Sequence, residues 1–270
     1  MSTAMSSVID QINQHEMRKA EIVHHYSVDD FLSPAEQAAV DRVAAQVRGG
    51  RVLDIGVGGG RTVNSLLKVS ADYLGVDNSP EMISACQRRF PGVKFELADA
   101  RQMPDLPDGS VTMAMFSCNG IGMVSHEDRL LIMREVFRIL KPGGLFLFST
   151  HNKHCPDESA GLKLPEFRLS PNPARTLVRL ARYGFHTVRR VYRRSRLRKF
   201  EIRTAEYSIV NDVCHDYGVM LYYITLASQR EQLERIGFDK GAEAYDLAGK
   251  IIATDSTDSS IMVIARKPTA

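Results

Sequence analysis

From residue 51 to residue 151 the chain alternates short apolar runs with longer segments whose apolar positions recur every three or four residues. The runs at 51–57, 73–77, 93–98, 110–117 and 144–151 are bounded by Gly, Pro, Asp or Ser and predict strands. The segments at 61–69, 80–90 and 126–140 predict helices between them. Such alternation predicts a doubly wound α/β sheet. Ahead of it, residues 5–25 predict one mostly polar helix. Ser33-Pro34-Ala35-Glu36 predicts the start of a second, with a capping box and a proline at its first position. After residue 152 the pattern breaks: Pro156, Pro165, Pro171 and Pro173 mark a loop-rich stretch, and a basic region follows to about residue 205. The pattern resumes with a helix at 228–236, closed by Gly237, and strands near 241–247 and 259–266.

The chemistry concentrates where the first strand ends, in Val52-Leu53-Asp54-Ile55-Gly56-Val57-Gly58-Gly59-Gly60-Arg61. Glycine lets backbone turn with positive φ and approach a flat ligand closely, and a Gly-rich strand-to-helix turn is a nucleotide-binding corner in doubly wound sheets. The glycines at 56, 58 and 60 fit the dinucleotide fingerprint poorly, because Arg61 stands where its third glycine belongs. An acid two residues before the first glycine also suits no pyrophosphate. A ligand with a cationic amine and no phosphate suits Asp54 better, and S-adenosylmethionine is such a ligand.

Three further pieces follow in order: Asp77 at the end of the second strand in Tyr73-Leu74-Gly75-Val76-Asp77-Asn78-Ser79-Pro80-Glu81-Met82, Asp99 in Phe95-Glu96-Leu97-Ala98-Asp99-Ala100, and Leu140-Lys141-Pro142-Gly143-Gly144 before the fifth strand. Over residues 45 to 152 the chain thereby resembles the class I S-adenosylmethionine-dependent methyltransferases. The resemblance implies a seven-stranded Rossmann-like sheet in the order 3-2-1-4-5-7-6 with the last strand antiparallel. It implies N-terminal helices at 1–44, a core at 45–152 and 228–270, and a lid inserted at 153–227. It further implies that Asp54, Gly56, Gly58 and Gly60 form the cofactor corner. Asp77, with Asn78 and Met82 beside it, would accept the ribose hydroxyls, Asp99 and Ala100 would read the adenine edge, and Ser117 would lie at the fourth strand's end. Tyr26 would close over the cofactor.

Composition adds limits. The 270 residues are 44% hydrophobic and 25% charged, ordinary for a globular chain. No apolar run approaches the ~20 residues of a membrane span, and Met1 to Lys19 lack an apolar signal core, so a cytoplasmic protein is expected. Cys86, Cys118, Cys155 and Cys214 are scattered without a C-x-x-C pair, which points to neither a zinc site nor a disulfide framework. Net charge is +3, yet Arg168 to Arg203 holds twelve basic residues and one acid, leaving a balance of −8 elsewhere. A solvated helix face explains such a run as readily as an anionic acceptor, an acidic membrane surface or RNA does.

On the acceptor side, the fourth strand ends in Phe116-Ser117-Cys118-Asn119-Gly120, without the Asp/Asn-Pro-Pro-aromatic signature of nucleic-acid and protein amino-methyltransferases. His151 at the end of the fifth strand and His215 and Tyr223 in the lid are the candidate catalytic residues, histidine being the near-neutral proton acceptor. No paired carboxylate and His set follows the fourth strand, so no metal is expected. The expected activity is methyl transfer to an oxygen or nitrogen of a small metabolite, plausible in secondary metabolism. An anionic acceptor would match the basic lid. The alternatives are a tRNA wobble-uridine methyltransferase, an NAD(P)-dependent oxidoreductase and a cofactor-binding regulator.

Overall fold

In the computed structural model, which describes residues 3–159 and 161–269, β1 (Val52–Ile55) is buried at every position. Met1, Ser2, Ala160 and Ala270, and with them the outer ends of the expected cap and core, lie outside the described residues. Full burial is the pattern of a strand covered on both faces. β1 pairs in parallel with β2 (Tyr73–Asp77) on one side. β3 (Phe95–Leu97) extends the sheet in parallel beyond β2. On its other side β1 pairs in parallel with β4 (Val111–Phe116), and β5 (Leu140–Asn152) follows beyond β4. The first crevice of the sheet therefore lies above β1, where the chain order reverses.

Three strands that the sequence pattern did not predict arise between residues 202 and 224. β6 (Ile202–Arg203), β7 (Tyr207–Asp212) and β8 (Val219–Ile224) form an antiparallel ladder. It joins β5 through His151 and Asn152, opposite Tyr223 and Ile224. β9 (Glu243–Tyr245) pairs with β10 (Ser260–Arg266), which runs antiparallel along the other edge of β5. The sheet thus has ten strands rather than seven. With β6–β8 set aside, its order is the expected one, β3-β2-β1-β4-β5-β10-β9.

The polar N-terminal segment forms two helices, α1 (Thr3–Met17) and α2 (Ala20–Tyr26), not one. Lys19 is extended between them (φ −67°, ψ 137°), which lets α2 turn across the glycine corner. α1 is fixed by Asn13, whose Oδ1 accepts from Met220 N at 2.8 Å while its Nδ2 donates to Met220 O at 2.8 Å. The amide side chain so completes both hydrogen-bonding groups of one β8 residue. α3 (Pro34–Val47) begins with the expected capping box between Ser33 and Glu36. α4 (Val63–Val69), α5 (Pro80–Arg89) and α6 (His126–Ile139) lie in the core. Arg129 of α6 is fully buried and donates to Ile121 O, Thr150 Oγ1 and Gln229 Oε1, tying the turn Gly120–Gly122 to β5 and the last helix.

α7 (Pro173–Leu197) carries most of the basic run and buries no residue. Its C-terminal half docks through arginines: Arg189 and Arg190 on Asp216, Arg193 on Glu16 and Arg194 on Glu201. α8 (Leu226–Ile236), capped by Thr225 and ended by Gly237, leads into the final strand pair.

Candidate functional site

A cavity opens above the ends of β1, β2 and β4 and holds roughly 1190 Å³ of non-protein space, its mouth included. It lies at the carboxyl ends of the strands, where doubly wound sheets bind their ligands. Its floor is the glycine corner. Gly56 and Gly58 have φ of +62° and +56°. A Cβ on Gly58 would meet nothing nearer than Gly56 O at 3.9 Å, so this backbone borders open space. Gly60 differs: a Cβ there would strike the Phe90 ring at 2.4 Å, so it packs α4 and α5 together behind the cavity wall and does not line the site as expected.

Asp77 is the organising carboxylate. Its Oδ2 accepts from Gly58 N and its Oδ1 from Ser79 N, each at 2.9 Å, which locks the two strand ends together. Burial raises its pKa against the opposing pull of the Ser79, Gly58 and Asn78 amides. Asn78, Ser79 and Met82 line the wall beside it. Asp99 and Ala100 line the next wall. Burial pushes Asp99 upward, but hydrogen bonds from Arg101 outweigh it and hold the carboxyl below its usual value.

Two arginines that sequence reasoning passed over also line the cavity, and each is neutralised. Arg61 makes a bidentate pair with Glu36 at 2.8 and 2.7 Å. Arg101 reaches Asp99, Asp10 and Asp128. The roof is α1, through Asp10, Asn13, Gln14 and Met17, together with Tyr26. Ser117, Cys118, Gly120, Met123 and Val124 close the side above β4. There the chain turns through left-handed φ at Cys118 and Asn119, held by Asn119 N donating to Ser149 Oγ at 2.7 Å. The α1 residues carry no motif; the bonds of Asn13 to Met220 and Met123 and of Asp10 to Arg101 bring them here.

Asp54 is placed differently from expectation. It is fully buried and absent from the cavity lining; its Oδ2 accepts from Thr62 Oγ1 at 2.5 Å and from the Tyr73 hydroxyl at 2.8 Å. It braces the corner from behind rather than meeting an ammonium directly. Burial pushes its carboxyl up to about 6 despite those two bonds. An acid raised in the folded state binds its proton more tightly than in the unfolded chain, where the value is ~3.9. Its contribution to stability therefore declines as pH rises from about 4 to about 6. The unfolding free energy of the native protein minus that of Asp54→Asn should fall by about 3 kcal/mol across that window. Urea titrations at several pH values check this; a flat difference would show an unshifted Asp54.

The three candidate catalytic residues stand outside the cavity lining. His151 stacks on Tyr223 with ring centroids 4.9 Å apart, and burial lowers its pKa to about 4. Tyr223 donates its hydroxyl to Asp212 at 2.8 Å. Both stand at the β5–β8 junction, His151 opposite Tyr223. His215 is closer to the chemistry: its Nε2 lies 3.4 Å from the hydroxyl of Tyr26, which does line the cavity.

Comparison with known proteins bears on this arrangement. Residues 52–144 match the family model described as a methyltransferase domain. The matched stretch carries the glycine corner, Asp77, Asp99 and strands β1 to β4. Residues 52–144 form a class I S-adenosylmethionine-dependent methyltransferase domain. Among relatives, a demethylmenaquinone methyltransferase of Chlorobaculum parvum is 34% identical over 128 residues, covering 43% of this chain and 52% of that protein. A ubiquinone biosynthesis O-methyltransferase of Aliivibrio fischeri is 28% identical over 160 residues, 58% of this chain and 64% of that protein. This chain thus spans between half and two thirds of these relatives' lengths. The 1,6-didemethyltoxoflavin-N1-methyltransferase of Burkholderia thailandensis, solved with S-adenosylhomocysteine, superposes with a TM-score of 0.59 at 12% identity, covering 99% of this chain and 92% of that one. That likeness is one of fold.

The residues of the methyltransferase domain fit its cofactor. Two carboxylates stand at neighbouring strand ends, glycine backbone borders open space, and both lining arginines are already paired, so the cavity offers no uncommitted cation to a pyrophosphate among the described residues. Asp77 would hold the ribose hydroxyls, Ala98 to Ala100 would face the adenine, and the backbone at Gly56 and Gly58 would pass beneath the methionine part.

Proposed function

We propose that the chain is an S-adenosylmethionine-dependent methyltransferase acting on an oxygen or nitrogen of a small, largely apolar acceptor. The observation that carries this reading is the roof: α1 and Tyr26 close over the cavity, whose apolar lining is Met17 of α1, Met123 and Val124 beyond β4, and Ile132 of α6. A polymer would require an open groove there. Residues 1–44 act in this reading as a cap, 153–227 as a lid, and 45–152 with 228–270 as the catalytic core. A cytoplasmic setting agrees with the four free thiols. Four arginines of α7, Arg189, Arg190, Arg193 and Arg194, are committed to Asp216, Glu16 and Glu201 and are thereby withheld from a tRNA backbone.

When bound, the cofactor supplies an electrophilic methyl group on a sulfonium. The protein's part is to orient the acceptor in line with it and to exclude water, an effect worth many powers of ten when both partners are held. Asp77 fixes the cofactor end, and α1 with Tyr26 keeps solvent out. We assign the Tyr26 hydroxyl as a relay: it takes the acceptor's proton as its own proton passes to His215 Nε2, which becomes the imidazolium. Burial lowers the pKa of His215, so it is neutral and able to accept at pH 7.

Release of S-adenosylhomocysteine from a panel of quinols, fatty acids and aromatic amines tests the acceptor class. Turnover of one class supports the reading, and turnover of none overturns it. With the acceptor found, Tyr26→Phe should lower kcat by about ten- to a hundredfold and leave cofactor affinity nearly unchanged. His215→Gln should remove the acid limb of the pH–rate profile. Unchanged rates in both would mean that positioning alone suffices.

A further inference from the structure

We propose that α7 is an interfacial helix that docks the protein on an anionic lipid surface, its apolar stripe facing the membrane. Eleven of the seventeen exposed large hydrophobic residues of the described chain fall between Leu162 and Tyr192. On α7 they gather on one side: Leu177, Leu180, Val188 and Val191 recur at three-, eight- and eleven-residue steps, with Leu177 68% and Val188 70% exposed. The helix is about 37 Å long. Its orientation is inverted relative to an ordinary surface helix, which turns its apolar stripe to the core. Here His186, Arg190 and Arg193 face the protein, bound to Asp216 and Glu16, and the apolar residues face out.

Charge selects the occupant. The apolar side also includes Val178, Phe185 and Tyr192, and Arg175 and Arg182, three residues before Val178 and Phe185, run along its edge, while Arg189, next in that seven-residue series, is committed to Asp216. Among the described residues neither Arg175 nor Arg182 pairs with a carboxylate. An apolar strip edged by arginines is the pattern of a helix lying in a membrane interface, its stems buried and its guanidinium groups at anionic headgroups. A second copy would bring the same arginine edges together, so self-association is opposed by charge. No helix among the described residues is long and apolar enough to cross a membrane, so α7 would lie on the surface. The docked half of α7 holds α1 through Glu16 and approaches α2 through Glu21, the two helices beside the cavity mouth. A lipid surface bound by α7 would therefore lie near the entrance through which a lipophilic acceptor arrives.

Co-sedimentation with vesicles of phosphatidylcholine containing about 30 mol % phosphatidylglycerol, against pure phosphatidylcholine, tests this without any turnover. It thus stands or falls apart from the methyltransferase reading. The native protein should bind the anionic vesicles at least about tenfold better and lose that binding as salt rises. Leu177→Asp with Val188→Asp should weaken binding by at least about tenfold, at unchanged melting temperature and unchanged affinity for S-adenosylhomocysteine. Arg175→Glu with Arg182→Glu should weaken only the anionic preference. Failure of the native protein to bind either vesicle, or equal binding by native and Leu177→Asp/Val188→Asp protein, would overturn the proposal. So would a concentration-dependent doubling of mass in light scattering that the same double variant abolishes, since that result assigns the stripe to a second copy.

Discussion

Asp77→Ala is expected to lower affinity for S-adenosylhomocysteine by at least about a hundredfold, because two hydrogen bonds to a charged acceptor are worth ~1.5–3 kcal/mol each. The loss has a second source. Asp77 accepts from Gly58 N and Ser79 N, so its removal leaves two backbone donors unpaired at the corner that passes beneath the ligand. Asp77→Asn separates the two sources. The amide keeps one acceptor oxygen and one of the backbone bonds, so its affinity should fall between the native and alanine values. Calorimetric titration gives the affinities, and thermal melting shows whether the fold persists. Native affinity in Asp77→Ala would remove Asp77 from the site.

A single methyl group should act very differently at two adjacent glycines. Gly59→Ala places a Cβ 2.3 Å from Tyr26 O and 2.5 Å from Ser27 Cα, and backbone atoms cannot swing aside as a flexible side chain would. The end of α2 must therefore lift. Overpacking of this kind costs ~1–3 kcal/mol, equivalent to a fivefold to hundredfold shift toward an undocked α2. Proteolysis between residues 18 and 31 should accelerate, and acceptor turnover should fall because Tyr26 leaves the roof. Gly58→Ala has no such neighbour; its cost is the left-handed φ of +56°, ~1–2 kcal/mol. It should weaken cofactor binding and leave α2 docked. Limited proteolysis of the two variants side by side decides the matter, and equal cutting rates would show that α2 does not rest on Gly59.

The central strands were legible because each is buried on both faces and so reads as an unbroken apolar run between turn residues. The acids at 77 and 99 were legible because they end such runs beside a glycine corner. Two features of the corner were not. Asp54 reads the same whether its carboxylate faces a ligand or Thr62 and Tyr73, and Gly60 reads the same whether a ligand or Phe90 lies beside it. The α1 contribution was hidden for a different reason: Asp10, Asn13 and Gln14 make α1 look solvated, and only long-range bonds such as Asn13 to Met220 reveal its inward face. In the lid, counting charge between 168 and 203 said nothing of direction. The periodicity of Leu177, Leu180, Val188 and Val191 held that information, as the apolar run Val219–Ile224 held the signal for β8. His151 and Tyr223 were sought at the reacting atoms because of their residue types. The structure sets them opposite each other across β5 and β8, outside the lining of the cavity, a placement that residue type alone does not reveal.

The most direct measurement is calorimetric titration of the native protein with S-adenosylhomocysteine and, separately, with NADP⁺. Saturable binding of the first with a Kd on the order of 10 μM or tighter, and no heat from the second, is the expected result. Uptake of NADP⁺ by a protein that ignores S-adenosylhomocysteine would contradict the assignment of the cavity.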